Sequence, residues 1–255
     1  MLFTTAWHRI APCRYPIQEP QLPSRSRRVA GVFITLEGGE GSGKTTQAVR
    51  LFQWLTERGY NALHTREPGG TLIAERLRNI LLERSDEPMA SETETLIILA
   101  ARRQHTDQVI RPALARGTLV ICDRFSDSTM AYQGYARGLD LKTLRTMNDW
   151  ATGGLTPHLT VLFDLPVGAG LMRRRSEAVT QNRLDLEAKR FHTKVRAGFL
   201  ALAKREPRRI KTIDARQSAD TIARQVENLV LDRLGSLRVK PKKPHNHAIS
   251  GHHRP

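Results

Sequence analysis

Cysteine is nearly absent. The chain has two in 255 residues, Cys13 and Cys122, which give neither a disulfide framework nor a metal-binding spacing. That fits a reducing, cytoplasmic setting. Long apolar runs are missing too. None approaches the ~18 residues needed to span a bilayer, so no membrane partner is expected. Acidic residues are outnumbered, 25 Asp and Glu against 41 Lys and Arg, for a formal charge of +16 and a pI near 10.8. Such a balance suits a polyanion, either nucleic acid or phosphorylated metabolites. Much of the excess sits at the ends, however: Arg9, Arg14, Arg25, Arg27 and Arg28 in front, and Arg238, Lys240, Lys242, Lys243 and Arg254 behind. The global charge is therefore weak evidence for nucleic acid, and no stable nucleic-acid partner is expected.

The ends also read differently from the middle. Residues 1–28 bear arginines and are poor in acids, with Glu19 alone, as a transit peptide would be, but Pro12, Pro16, Pro20 and Pro23 interrupt any long amphipathic helix. They read as a disordered leader, or as translation from an upstream start. Residues 236–255, with His245, His247, His252 and His253 among Pro and Lys, read as a disordered tail. Residues 29–235 form the folded domain.

Within that domain the informative stretch is Val32 to Thr46, Val-Phe-Ile-Thr-Leu-Glu-Gly-Gly-Glu-Gly-Ser-Gly-Lys-Thr-Thr. An apolar run of strand length breaks at glycines, and Gly38, Gly43, Lys44 and Thr45 complete Gly-x4-Gly-Lys-Thr, a phosphate-binding loop. The chemistry demands these types. Glycine lets backbone N–H groups turn onto phosphate oxygens, and the following helix presents unpaired amides and a positive dipole end. Gly38, Gly39, Glu40, Gly41, Ser42, Gly43, Lys44, Thr45 and Thr46 are the expected ATP contacts. Lys44 should reach the β- and γ-phosphates, and the Thr45 hydroxyl should take Mg²⁺.

Elsewhere, strand-length apolar runs alternate with helical patterns, which predicts an α/β fold: a phosphate-loop-type parallel five-stranded sheet flanked by helices. The strands are expected at 32–37, 62–66, 119–122, 159–163 and 209–213. Helices are expected from Lys44 to about Arg58, from Thr71 to Leu82, from Ser91 to Arg116, over 126–136, 142–152 and 167–175, from about Leu184 to Lys204, and over 218–234. Thr71 should cap its helix, and Ser91 with Glu94 has the spacing of a capping box.

Three further absences narrow the chemistry. Asp123, at a strand end, suits the carboxylate that holds Mg²⁺ in phosphate-loop enzymes, yet no acid follows it to activate water as in a motor ATPase; Arg124 stands there. No Asn-Lys-x-Asp reads guanine. No cation occupies the variable positions of the phosphate loop, so transition-state charge falls to Lys44, Mg²⁺ and something mobile. Arg173, Arg174, Arg175 and Arg183 surround a polar segment that fits a closing lid, at about 173–183. The pattern points to phosphoryl transfer onto a second phosphorylated substrate, gripped by guanidinium groups. A basic nucleotide-switched nucleic-acid-binding protein is the alternative of another class.

Taken together, the chain resembles thymidylate kinases of the bacterial type with a lid arginine, from about Val32 to Leu234. The blocks that carry the resemblance are Leu-Glu-Gly-Gly-Glu-Gly-Ser-Gly-Lys-Thr-Thr, Thr-Arg-Glu-Pro-Gly-Gly-Thr, Ala-Ala-Arg-Arg-Gln-His, Asp-Arg-Phe-Ser-Asp-Ser-Thr-Met-Ala-Tyr-Gln-Gly and Gln-Asn-Arg-Leu-Asp. The resemblance implies ATP-dependent phosphorylation of dTMP with Mg²⁺, in a homodimer, with another nucleoside monophosphate or a deoxynucleoside as the alternative acceptor. It implies that Glu40 accepts from the sugar 3′-OH, that Arg66, Arg78 and Arg124 surround the acceptor phosphate, and that Arg102 and Gln133 read the thymine edge beside Thr129 and Tyr132. Lys44 and Arg124, with Arg174 or Arg175 from the lid, would be catalytic. The chain departs from the family where Ile98 replaces a stacking phenylalanine and Asp-Arg-Phe replaces Asp-Arg-Tyr.

Overall fold

The computed structural model describes residues 31–176 and 182–241. The leader with Cys13, the centre of the expected lid and the histidine-bearing tail lie outside the described residues.

Alternation within the first strand sets the architecture. In β1 (Phe33–Gly38), Ile34 and Leu36 point to one face and Phe33, Thr35 and Glu37 to the other, and all are buried. A strand apolar on both faces belongs at the centre of a parallel sheet covered on each side. β1 pairs in parallel with β3 (Leu119–Asp123) on one flank and β4 (Leu159–Asp164) on the other. β2 (Ala62–Arg66) and β5 (Ile210–Asp214) form the edges, giving the order β2-β3-β1-β4-β5. The chain leaves β1 toward one edge and returns to its other side, so the loops after β1 and β3 share a crevice at the carboxyl ends, where ligands gather in such sheets.

One face is covered by α1 (Lys44–Glu57) and α9 (Ala219–Ser236). Leu51, Leu55, Val226 and Val230 pack there against Ile34, Leu36, Ile121 and Val161. On the other face lie α2 (Leu72–Leu82), α3 (Ser91–His105), α4 (Arg111–Ala115), α5 (Ser126–Thr129) and α6 (Leu141–Thr152). α7 (Val167–Ser176) and α8 (Lys189–Arg205) follow β4. Phe33 meets Phe125 edge-on at 4.9 Å, and Leu162 and Ile210 pack with Val195, Phe199 and Leu202 of α8.

Two expected helices are modified by wide turns. The predicted helix from Ser91 to Arg116 is α3, a π-helical stretch at Thr106–Ile110, and α4; a second π-helical stretch, Met130–Ala136, continues α5. Thr71 caps α2 as expected, its hydroxyl accepting from the Ala74 N–H. Ser91 does not cap α3. Ala90 occupies the cap position, and Glu94, which the capping-box reading turns back on the helix end, faces the interior instead. The long helix expected from Leu184 begins only at Lys189, because turns at 184–187 hold the chain beside the site. No described helix is long and apolar enough to cross a membrane.

Candidate active site

The crevice is built by two loops, one after β1 and one after β3. The first places Lys44 and Thr45 in the opening turn of α1, with left-handed Gly43 at its cap. The Lys44 ammonium donates to the Gly39 carbonyl at 2.7 Å and lies 3.2 Å from the Ser42 hydroxyl. Burial, followed by the nearby Arg124 charge, pushes the Lys44 amine down to about 8. Thr45 donates to Asp123 Oδ2 at 2.5 Å, which ties the two loops together.

Asp123 Oδ1 is buried and has no hydrogen-bond partner among the described residues. A carboxylate oxygen so placed, next to a hydroxyl and below a phosphate loop, fits the hard oxygen-donor set of a magnesium ion.

Arg124 adopts a left-handed backbone (φ 69°), a conformation uncommon outside glycine that clusters at functional sites. Its guanidinium crosses to the first loop, donating to the Gly38 carbonyl at 3.0 Å and to Glu40 at 2.8 Å. Tyr132 donates its hydroxyl to the same Glu40 oxygen at 2.7 Å. Burial alone would raise the Glu40 carboxyl, but Arg124, Lys44 and the Tyr132 hydroxyl together hold it down at about 2. Glu40, Arg124 and Tyr132, expected in the site, are thus one cluster.

They line a cavity of about 120 Å³ together with Arg78, Arg102, Thr129 and Gln133. Ile98, at the position where the resemblance expects a phenylalanine, supplies an apolar wall. Arg78 enters from α2, donating to the Pro68 carbonyl at 2.9 Å. Arg102 is buried, and most of its donors are committed to Glu67, Thr129, Asn148 and the Phe125 carbonyl at 2.6–3.0 Å. Only one hydrogen on its NH2 nitrogen is left over by these contacts. Arg66 stands outside the cavity lining. It is half-exposed at the end of β2 and makes an ion pair with Glu75 at 3.0 Å.

The lid arginines divide. Arg174 forms a two-pronged pair with Asp185 at 3.0 and 3.1 Å, Arg173 donates to the Ala215 carbonyl, and Arg175 is exposed. Arg183 donates to the Leu81 carbonyl and to Glu94.

Three residues of the site escaped the sequence. Glu37, the penultimate residue of β1, is a fully buried carboxyl accepting from Phe125 N–H and the Ser128 hydroxyl at 2.7 and 2.6 Å. Its signal was an acid ending an apolar strand. Gly170 of α7 passes backbone to backbone against the phosphate loop; nothing local in the sequence marks it. Glu94 was legible only as a helix cap.

Burial and the neighbouring Asp127 raise the Glu37 carboxyl from its ordinary 4.5 to about 7. Because the folded-state value is raised, folding favours the protonated acid. Its contribution to stability is complete below about 4.5 and is lost as pH climbs through about 7, with a slope of at most roughly 1.4 kcal/mol per pH unit. Glu37→Gln keeps a carbonyl for Phe125 and an amide for Ser128. Urea midpoints at pH 5 and pH 8 should lie closer together in the variant than in the parent. An unchanged gap would remove Glu37 as its source.

Comparison with known proteins identifies the family. The thymidylate kinase family profile matches residues 36–226. The thymidylate kinase of Pseudomonas putida (strain GB-1) is 48% identical over 202 residues, covering 79% of this chain and 96% of that protein. That of Thermomicrobium roseum is 51% identical over 209 residues, covering 82% and 99%. The crystal structure of the Ehrlichia chaffeensis thymidylate kinase superposes with a TM-score of 0.63 at 36% identity, over 79% of this chain and 99% of that one. The chain belongs to the thymidylate kinase family.

Proposed function

We propose that this chain transfers the γ-phosphoryl group of ATP to the 5′-phosphate of dTMP. The bond from the γ-phosphorus to the bridging β-γ oxygen breaks, a bond to an acceptor phosphate oxygen forms, and ADP and dTDP leave. The observation that carries the reading is Arg124, whose guanidinium joins the phosphate loop at Gly38 and Glu40 to the cavity that Arg78 and Gln133 line. One basic side chain therefore faces both substrates. Backbone amides of Gly39 to Thr46 and Lys44 hold the donor phosphates, while Arg78 and Arg124 hold the acceptor phosphate. Arg66 would have to leave Glu75 to join them. Glu40 would take the sugar 3′-OH beside Tyr132, and Arg174 or Arg175 would approach from the lid. Catalysis of this kind rests on positioning and charge neutralisation.

Thr45 and Asp123 would hold Mg²⁺, which when bound would neutralise phosphate charge; the partnerless Oδ1 of Asp123 supports that assignment. For the base, Thr129 and Ile98 line the pocket, and Arg102 and Gln133 present polar groups to the thymine edge. A donor-only guanidinium suits O4 and opposes a cytosine amino group. The thymine methyl adds about 0.8 kcal/mol by burial, so dUMP should be poorer by only about fourfold. An ADP-release assay across dTMP, dUMP, dCMP, AMP and GMP tests the reading. dTMP should be the best acceptor, and preference for a purine would overturn it.

A further inference from the structure

Glu94 carries a charge that the reaction does not use. It lies in the first turn of α3, has no solvent exposure, and accepts from three groups, two at the Met130–Ala136 stretch and its end and one in the segment before α8. Gln133 donates its Nε2 to Glu94 Oε1 at 2.7 Å. Arg137 and Arg183 donate to Oε2 at 3.0 and 2.6 Å. Burial on its own would raise this carboxyl, but the hydrogen bonds from Arg137, Gln133 and Arg183 outweigh it and hold the group below the usual carboxylate range. An ionised carboxylate accepts and never donates. A neighbouring primary amide must therefore turn its NH2 toward it; the flipped amide would set oxygen against oxygen and forfeit a charge-assisted bond.

Gln133 is itself buried and lines the acceptor cavity. With its nitrogen committed to Glu94, the atom left for the cavity is the carbonyl oxygen. An acceptor there complements a base that carries a hydrogen on its ring nitrogen, as thymine and uracil do at N3, and opposes cytosine, whose N3 is a lone pair. We propose that Glu94 is a positioning residue for specificity: by fixing the orientation of the Gln133 amide, it makes the pocket select a pyrimidine protonated at N3. The inference rests on the reading that a thymidylate occupies this cavity.

The test is the ratio of kcat/KM for dTMP to that for dCMP in Glu94→Gln, Gln133→Ala and the double variant. A glutamine at 94 offers either a carbonyl or an amide, so Gln133 is free to turn over. The ratio should fall about tenfold in Glu94→Gln, the scale of one mispaired buried polar group. Arg102 retains its share of the discrimination. Gln133→Ala should lower the ratio similarly, and adding Glu94→Gln to it should lower it no further, since the two act through one amide. An unchanged ratio in either single variant, or additive losses in the double, overturns the proposal. Should Glu94→Gln fail to fold, Glu94→Asp, which keeps the charge but draws it back from the Gln133 amide, replaces it in the single and double variants with the same deciding outcomes. A parent enzyme that does not prefer dTMP would instead sink the underlying reading, whatever Glu94 does.

Discussion

Arg124→Ala should lower kcat/KM for dTMP by about 10²-fold or more, the scale of losing one charge-stabilising donor at a reacting centre. The structure explains why so much rests on one side chain. Its guanidinium holds the Gly38 carbonyl, the Glu40 carboxylate and the Ser128 hydroxyl at 2.8–3.2 Å, so its removal slackens both loops and leaves Glu40 without its principal cation. Because the contacts include the phosphate loop, KM for ATP should rise as well, though less than that for dTMP. Arg124→Lys keeps the charge but loses the fork that spans Gly38 and Glu40, and should restore only part of the activity. Arg124→Gly separates charge from backbone, since glycine relaxes the φ of 69° while deleting the cation. Steady-state kinetics in both substrates decides. A glycine variant as active as the parent would show that the backbone, and not the guanidinium, is what matters.

Gly170→Ala should damage the donor site from outside the two loops. A Cβ at Gly170 would stand 2.3 Å from the Glu40 carbonyl oxygen, and one at Gly41 would stand 2.1 Å from that of Gly170. Both obstacles are backbone, so no side-chain rotation relieves them. Either α7 or the phosphate loop must withdraw. Overpacking of this kind costs about 1–3 kcal/mol, and each kcal/mol lowers Tm by about 2–4 °C in a chain of this size. The dissociation constant for ATP, measured by calorimetry, should rise about tenfold, the scale of such a cost. Gly168→Ala is the matched control, on the same helix but with nothing within 4 Å of the added carbon. It should be neutral or slightly stabilising, because alanine is the better helix former. Equal behaviour of the two variants would remove the loop contact as the cause.

The sheet was legible because its signals are local. Strand-length apolar runs and the glycines that end them place all five strands within about one residue of where they lie. The phosphate loop was legible for the same reason, since its pattern is contiguous. What the sequence concealed depends on contacts across long separations. Glu94 and Arg183 are 89 residues apart, so a carboxylate that neutralises two arginines could be taken for a cap. Arg66, which the resemblance expects at the acceptor phosphate, is paired with Glu75 of the next helix, a contact that its own Pro/Gly surroundings do not announce. Arg102 lines the cavity as expected, yet the burial of its other contacts with Glu67 and Asn148 was invisible from its neighbours on α3. The two π-helical stretches interrupt runs that the sequence reads as regular helix, with no local signal in either.

Glu94 serves Gln133, Arg137 and Arg183 with a single pair of oxygens. An engineer wishing to broaden the choice of base could not retune that carboxylate by itself, because the same change would release the chain that enters α8 from its anchor. Selectivity and architecture are entangled at that point. Redesign of the acceptor range is better begun at Ile98, whose side chain forms a wall of the pocket and holds nothing else in place through polar contacts.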